Sequence, residues 1–203
     1  MYFPPALVKY LESTELKDLA GDAFILLVNL FDEKSIESAT PEFVQKLIDS
    51  IPFIVDENTL NALLSILVCV MPFFEKTMSY NNIVLNEFIT QEKEDFYKDK
   101  LLYLTNRGSM YRLDKCMQTI GVLLSNYKSE RFFNENDIDI IVSVGLRELA
   151  TPNAPRARIQ TLRVLNQILD HPTYLDFYKQ RLADYNSTIE SQILHEDSDH
   201  LYT

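Results

Sequence analysis

Three histidines and two cysteines hold most of the metal-binding and nucleophilic capacity of this chain. A zinc site takes four His, Cys or carboxylate ligands, usually in closely spaced pairs. His171, His195 and His200 offer no such cluster. His195 and His200 share their segment with Glu196, Asp197 and Asp199, a pattern expected of a solvated tail. Cys69 and Cys116 fall within apolar stripes of helical spacing, Cys116 beside Leu113, Met117, Ile120, Leu123 and Tyr127. That setting predicts two buried free thiols rather than a disulfide or a ligand pair. The patterns GxSxG, GxGxxG and GxxxxGK are absent, and 4 glycines in the whole chain cannot build the phosphate loops that such patterns form. The chain reads as a non-enzyme that needs neither a metal nor another cofactor.

The residues better suited to function are cations. Arg156, Gln160, Arg163 and Gln167 recur at spacings of four, three and four, which puts them on one helix face opposite Ile159, Leu162 and Leu169. With Arg147, Arg158, Lys179 and Arg181 they make a locally basic stretch, 6 Lys+Arg against 4 Asp+Glu between Gly145 and Tyr185. Arginine suits a docking surface because its planar donor fork pairs well with acidic and polar partners. Tyr174, Phe177 and Tyr178 lie in the same region as candidate apolar anchors. Arg107, in Asn106-Arg107-Gly108, is a further candidate contact, although the tripeptide most simply ends a helix. Against these stands the cluster Glu92, Glu94, Asp95 and Asp99, interleaved with lysines, which reads as a solvated helix face with pairs such as Glu94 to Lys98.

Composition narrows the partner. Hydrophobic residues at 46% and charged residues at 24% are those of a folded globular chain. Net charge is −11, and residues 1 to 100 carry −9 of it, with 8 Lys+Arg against 17 Asp+Glu. A nucleic acid would be repelled, so a protein is the expected partner. The apolar run Ala62 to Phe74 is interrupted by Ser65 and Pro72 and is shorter than the roughly 20 residues that span a bilayer, so no membrane insertion is expected. Met1-Tyr2-Phe3-Pro4-Pro5 lacks the basic and apolar regions of a secretory leader, which predicts an intracellular protein.

These residues must be held by helices. The apolar periodicity predicts a short start near Pro5 to Leu11 and helices at Glu15 to Phe31, Thr40 to Ser50, Glu57 to Met71 ended by Pro72, Asn81 to Thr90 and Glu92 to Asn106. It continues with Arg112 to Tyr127, Asn136 to Ala150, Pro155 to Leu169 and Tyr174 to about Leu194. Glu57 to Met71 is apolar on nearly every side and should be a buried central helix. Phe132 and Phe133 should anchor a loop to the core, with Asn134 or Asn136 capping the helix that follows. Helix pairs recur with anchors at Leu26, Leu64, Val122 and Val164, separated by 38, 58 and 42 positions, the long gap accommodating the extra helix Glu92 to Asn106, so the underlying period is near 40. That period belongs to armadillo and HEAT arrays, so the expected fold is all-α, an armadillo/HEAT-like right-handed stack of helix pairs (an α-solenoid). Residues 1–194 should form one domain and 195–203 a flexible tail. The apolar Tyr2, Phe3 and Leu7 at the start, where a capping repeat should be polar, predict either further N-terminal repeats in fuller relatives or dimerisation through that end.

Several strings in the second half resemble one family. They are KLLYLTNRG (Lys100 to Gly108), FFNEND (Phe132 to Asp137), IDIIVSVGLREL (Ile138 to Leu149), RIQTLRVLNQIL (Arg158 to Leu169) and HPTYLDFYKQRLAD (His171 to Asp184). In order and spacing they resemble the C-terminal leucine-rich, armadillo-like domain of the WISH/DIP family, the Nck-interacting SH3-adaptor proteins and their shorter fungal relatives. The linker SMYRLDK after Asn106-Arg107 departs from the family's more acidic, proline-bearing version, and the vertebrate SH3 and proline-rich regions have no counterpart here. The resemblance implies a cytoplasmic module of the actin cytoskeleton, in cortical actin or endocytic patches. It further implies that the module binds the actin-related protein 2/3 complex, with actin as a further partner, and activates nucleation of linear filaments without a preformed filament. The rival reading of the same fold is a generic helical-repeat scaffold.

Overall fold

Thr40, Asn82 and Asn134 each place a side-chain oxygen at the start of a helix, and the chain turns helical after each of them. In the computed structural model, which describes residues 33–78, 81–107, 112–126, 131–150, 155–170, 186–187 and 190, eight helices run in order. They are α1 (Glu33–Glu37), α2 (Pro41–Ser50), α3 (Glu57–Met78), α4 (Ile83–Phe88), α5 (Glu94–Arg107), α6 (Leu113–Ser125), α7 (Glu135–Leu149) and α8 (Pro155–Asp170), with a 3-10 turn at Ile51–Phe53. No strand occurs among the described residues, and the fold is all-α. The helices expected at Pro5 to Leu11 and Glu15 to Phe31 lie outside the described residues, as does most of Tyr174 to Leu194, where 186–187 and 190 are helical.

The caps follow from the backbone groups that a helix start leaves unpaired. The Phe43 amide donates to Thr40 Oγ1 at 3.1 Å, and Pro41 presets the first turn of α2. Asp137 N–H donates to Asn134 Oδ1 while Asn134 N–H donates to Asp137 Oδ2, so α7 opens on a reciprocal capping box. Asp56 accepts from both the amide and the hydroxyl of Thr59 at the start of α3, and the hydroxyl and amide together hold its carboxyl below the usual carboxylate range.

Pro72 does not end the third helix, contrary to the sequence expectation. α3 continues to Met78 with Pro72 inside it. A proline at this position has no N–H, so the carbonyl four residues back, Val68 O, loses its donor. Thr119 of α6 supplies the replacement, its hydroxyl donating to Val68 O at 2.7 Å, and both partners are buried. Asn82 binds the helix on either side of Pro72. Its Nδ2 donates to Met71 O at 3.2 Å and to Glu75 Oε2 at 2.9 Å, while its Oδ1 caps α4 through the Leu85 amide. At 22 residues α3 is long and apolar enough to cross a membrane, yet its residues from Thr59 to Met71 are almost all buried within the protein. It packs against α1, α2, α4, α5 and α6, the surroundings of a core helix.

Long-range side-chain contacts give the stack its register. α5 and α7 lie side by side and parallel. Lys98 Nζ approaches Asp137 Oδ2 at 3.8 Å near their starts, and Arg147 donates to Asn106 Oδ1 and O near their ends, across 41 positions. α6 and α8 are joined near their ends. Gln167 Nε2 donates to Ser125 Oγ at 2.6 Å and to Gly121 O at 3.4 Å, across 42 and 46 positions. α7 packs closely on α8 because Gly145 has no side chain, and a Cβ there would stand 3.1 Å from Thr161 Cγ2. Phe132 and Phe133 are both buried and meet edge to face at 4.9 Å, anchoring the loop before α7 as expected. Cys69 and Cys116 are buried free thiols, also as expected. Burial pushes the Cys116 thiol well above its ordinary range, which keeps it inert.

Candidate partner-binding surface

α8 carries the residues singled out in the sequence, but its buried side differs from the simplest reading of the pattern. Ala157, Thr161, Val164, Leu165 and Ile168 face the core, whereas Ile159 and Leu162 are exposed at 51% and 39%. Of the three apolar residues expected opposite the arginines, only Leu169 packs against the core, and Ile159 and Leu162 do not. They stand on the surface with exposed Arg156 and Arg163, so the helix presents apolar and cationic groups together. Arg158 is half-buried. Lys179 and Arg181, with the anchors Tyr174, Phe177 and Tyr178, lie outside the described residues, as do all three histidines.

Gln160, Arg163 and Gln167 line one bank of an open groove of about 380 Å³. Its floor is α6, through Gln118, Gly121, Val122 and Ser125, and its far bank is α3, through Pro72 and Glu75. Gly121 keeps the floor low, since a Cβ there would meet Gln167 Oε1 at 3.0 Å. That Oε1 is buried and has no hydrogen-bond partner. Arg163 Nη1 makes a long bond to Gln160 Oε1 at 3.4 Å. The groove therefore carries amides on its floor and near bank, an acid on one bank and a guanidinium on the other.

The remaining candidate arginines sit elsewhere. Arg107 at the end of α5 is exposed and lies over the Tyr103 ring at 5.4 Å, with Lys100 on the same ring at 5.9 Å. Arg147 is exposed but engaged, because its guanidinium holds the last turn of α5 through Asn106 and approaches Glu148 at 3.6 Å. Tyr103 and Ile140 are exposed on the same two helices. Among the described residues no cluster of His, Cys and carboxylates could hold a metal ion.

A family model described as the SPIN90/Ldb17 leucine-rich domain matches residues 54–184, well over half of the chain. The chain belongs to the SPIN90/Ldb17 leucine-rich domain family. No curated protein and no solved structure matches it. This family of non-enzymatic, adaptor-type domains is linked to regulation of the actin-related protein 2/3 complex, the actin cytoskeleton and endocytosis. It is the same family as the WISH/DIP resemblance in the second half of the sequence. All seven candidate cations from Arg107 to Arg181 lie within the matched segment.

The SPIN90/Ldb17 segment holds its surface on internal polar contacts as well as on its core. Tyr97 is buried, stacks on Phe88 at 4.5 Å and donates to Glu87 Oε1 at 2.8 Å. Burial, reinforced by Glu87, pushes its phenol far above the ordinary range, so it remains a neutral donor. Lys98 pairs with Asp95 at 2.8 Å rather than with Glu94 as the four-residue spacing suggested. Burial alone would lower its pKa, but the Asp95 bond and the charge of Asp137 outweigh it and the net shift is upward. Four groove residues escaped the sequence reading, namely Glu75, Gln118, Gly121 and Ser125. Gly121 left a signal, since a glycine inside an otherwise strong helix is costly and marks a close approach.

Proposed function

We propose that this module binds the actin-related protein 2/3 complex and activates it without a preformed filament, so that it starts linear filaments. Membership of the SPIN90/Ldb17 leucine-rich domain family over residues 54–184 carries the reading. The exposed side of α8, with Arg156 and Arg163 beside Ile159 and Leu162, is the proposed docking surface, bordered by half-buried Arg158. Arg107 and Arg147, on α5 and α7, are further proposed contacts, as are Lys179 and Arg181, which lie outside the described residues. An apolar centre bordered by arginines suits a protein interface, where arginine and large apolar residues serve as anchors. The mechanism is selective binding. A partner that contacts the active arrangement of the nucleator better than the inactive one shifts the population toward it. Turning a 1:99 equilibrium into 99:1 takes roughly 5.5 kcal/mol of differential affinity, which a few well-packed anchors supply.

The test is polymerisation of fluorescently labelled actin with purified nucleator complex and no filament seeds. Added module should shorten the lag in proportion to its concentration. An unchanged lag at micromolar module would leave a helical-repeat scaffold unrelated to nucleation.

A further inference from the structure

The turn between α2 and α3 exposes Phe53 at 70% and Val55 at 99%, the two most exposed large apolar side chains among the described residues. The turn is tied at both ends and cannot fold them inward. Ile51 and Ile54 pack against the core, and the Ile54 N–H donates to Ile51 O at 3.2 Å. On the other side of Val55, Asp56 is held as the cap of α3 by the amide and hydroxyl of Thr59. The apolar pair is followed directly by two exposed acids, Asp56 and Glu57. Glu57 keeps 70% of its side chain in solvent while it accepts from Lys100 at 3.2 Å. The exposed side of α8 has the opposite character, with Ile159 and Leu162 beside Arg156 and Arg163. Packing runs from α2 through α3 and α6 to α8, so two helices intervene between the turn and this face within one molecule.

We infer that the α2–α3 turn of one molecule docks on the exposed side of α8 of a second copy. Single exposed apolar residues are ordinary on a protein surface. These two patches differ in that each is the complement of the other, apolar pair against apolar pair and two acids against two arginines. Charge on the larger scale favours the same pairing, because residues 1 to 100 carry −9 of the net −11 while the stretch from Gly145 to Tyr185 is locally basic. Turn against turn would set Asp56 and Glu57 on their own copies, and α8 against α8 would set arginine on arginine. Because the turn is already fixed by its core contacts and by the α3 cap, little ordering is lost when it docks. Only a few side chains meet on each side, so the contact belongs with small, weak interfaces and forms where the protein is concentrated. The α8 face is the one proposed above for the nucleator, and a second copy seated there excludes that partner. The inference rests on exposure and charge and does not depend on nucleator activation.

The test is sedimentation equilibrium of the full chain from about 10 μM to about 1 mM, the range in which a small interface is populated. The weight-average mass of the wild type should rise with concentration. Phe53→Ser with Val55→Ser, and separately Arg156→Glu with Arg163→Glu, should each associate at least about tenfold more weakly. Both variants should keep the helical circular dichroism and thermal midpoint of the wild type, since all four side chains are exposed. Mixed in equal amounts, the two variants should form a pair with one molecule of each, because each retains the surface that the other lacks. A wild type that stays monomeric at about 1 mM would overturn the inference. So would a folded variant that associates as the wild type does, or a mixture no heavier than either variant alone. No actin or nucleator is present, so failure here leaves the proposed nucleation activity untouched.

Discussion

Replacing Thr119 with valine removes one hydroxyl at constant shape and should reveal how α3 tolerates Pro72. In the wild type that hydroxyl is the donor to Val68 O, at 2.7 Å, in place of the N–H that Pro72 lacks. A buried carbonyl left without a donor costs about 1–3 kcal/mol, and the added methyl returns up to about 0.8 kcal/mol of apolar burial. The net loss should be about 0.5–2 kcal/mol, or about 1–8 °C in thermal midpoint for a chain of this size. The second half of the experiment uses Pro72→Ala, which restores the missing N–H so that Val68 O can bond within its own helix. In that background Thr119→Val should cost almost nothing, which makes the two sites coupled by about 0.5–2 kcal/mol in a double-mutant cycle read by urea denaturation. Equal losses in both backgrounds would refute the reasoning, because the threonine would then matter for packing rather than for the orphaned carbonyl.

Leu123→Ala and Ile141→Ala each empty a fully buried site on α6 and α7 and should lower stability by roughly 2–5 kcal/mol in urea titrations. Asn134→Ala removes one half of the α7 capping box and should cost about 0.5–2 kcal/mol, with faster amide exchange confined to the first turn of α7. Arg156→Glu with Arg163→Glu reverses charge on the exposed side of α8. The double variant should keep its thermal midpoint, since exposed charges contribute little to stability, while losing most of its affinity for the nucleator complex in a pull-down.

Much of the helical order was legible because its signals are local. Thr40-Pro41 and Asn134 open helices through their own side chains, and α2, α7 and α8 begin and end within a residue or so of the periodic segments. The failures occur where distant residues decide. Pro72 carries a strong helix-ending signal, and nothing near it in sequence announces that Thr119, 51 positions beyond Val68, will donate to the Val68 carbonyl in its place. α1 was missed because a five-residue helix has too few turns for a pattern, although Ser35 and Ile36 are buried. In α8 the apolar residues cover more than half the circumference, so periodicity alone did not show that Ile159 and Leu162 remain outside. The groove was the least legible feature. It is composed of three helices, and its glutamines read individually as ordinary surface residues until α6 and α8 are laid side by side.

The central claim is best tested by watching single filaments. Labelled actin, purified actin-related protein 2/3 complex and this module, combined without seeds or other activators under evanescent-field microscopy, should give new linear filaments, with the nucleator at one end. Their number should rise with module concentration and fall sharply for the Arg156→Glu/Arg163→Glu protein. Filament numbers equal to those without the module, or new filaments that arise only as branches from existing ones, would contradict the account.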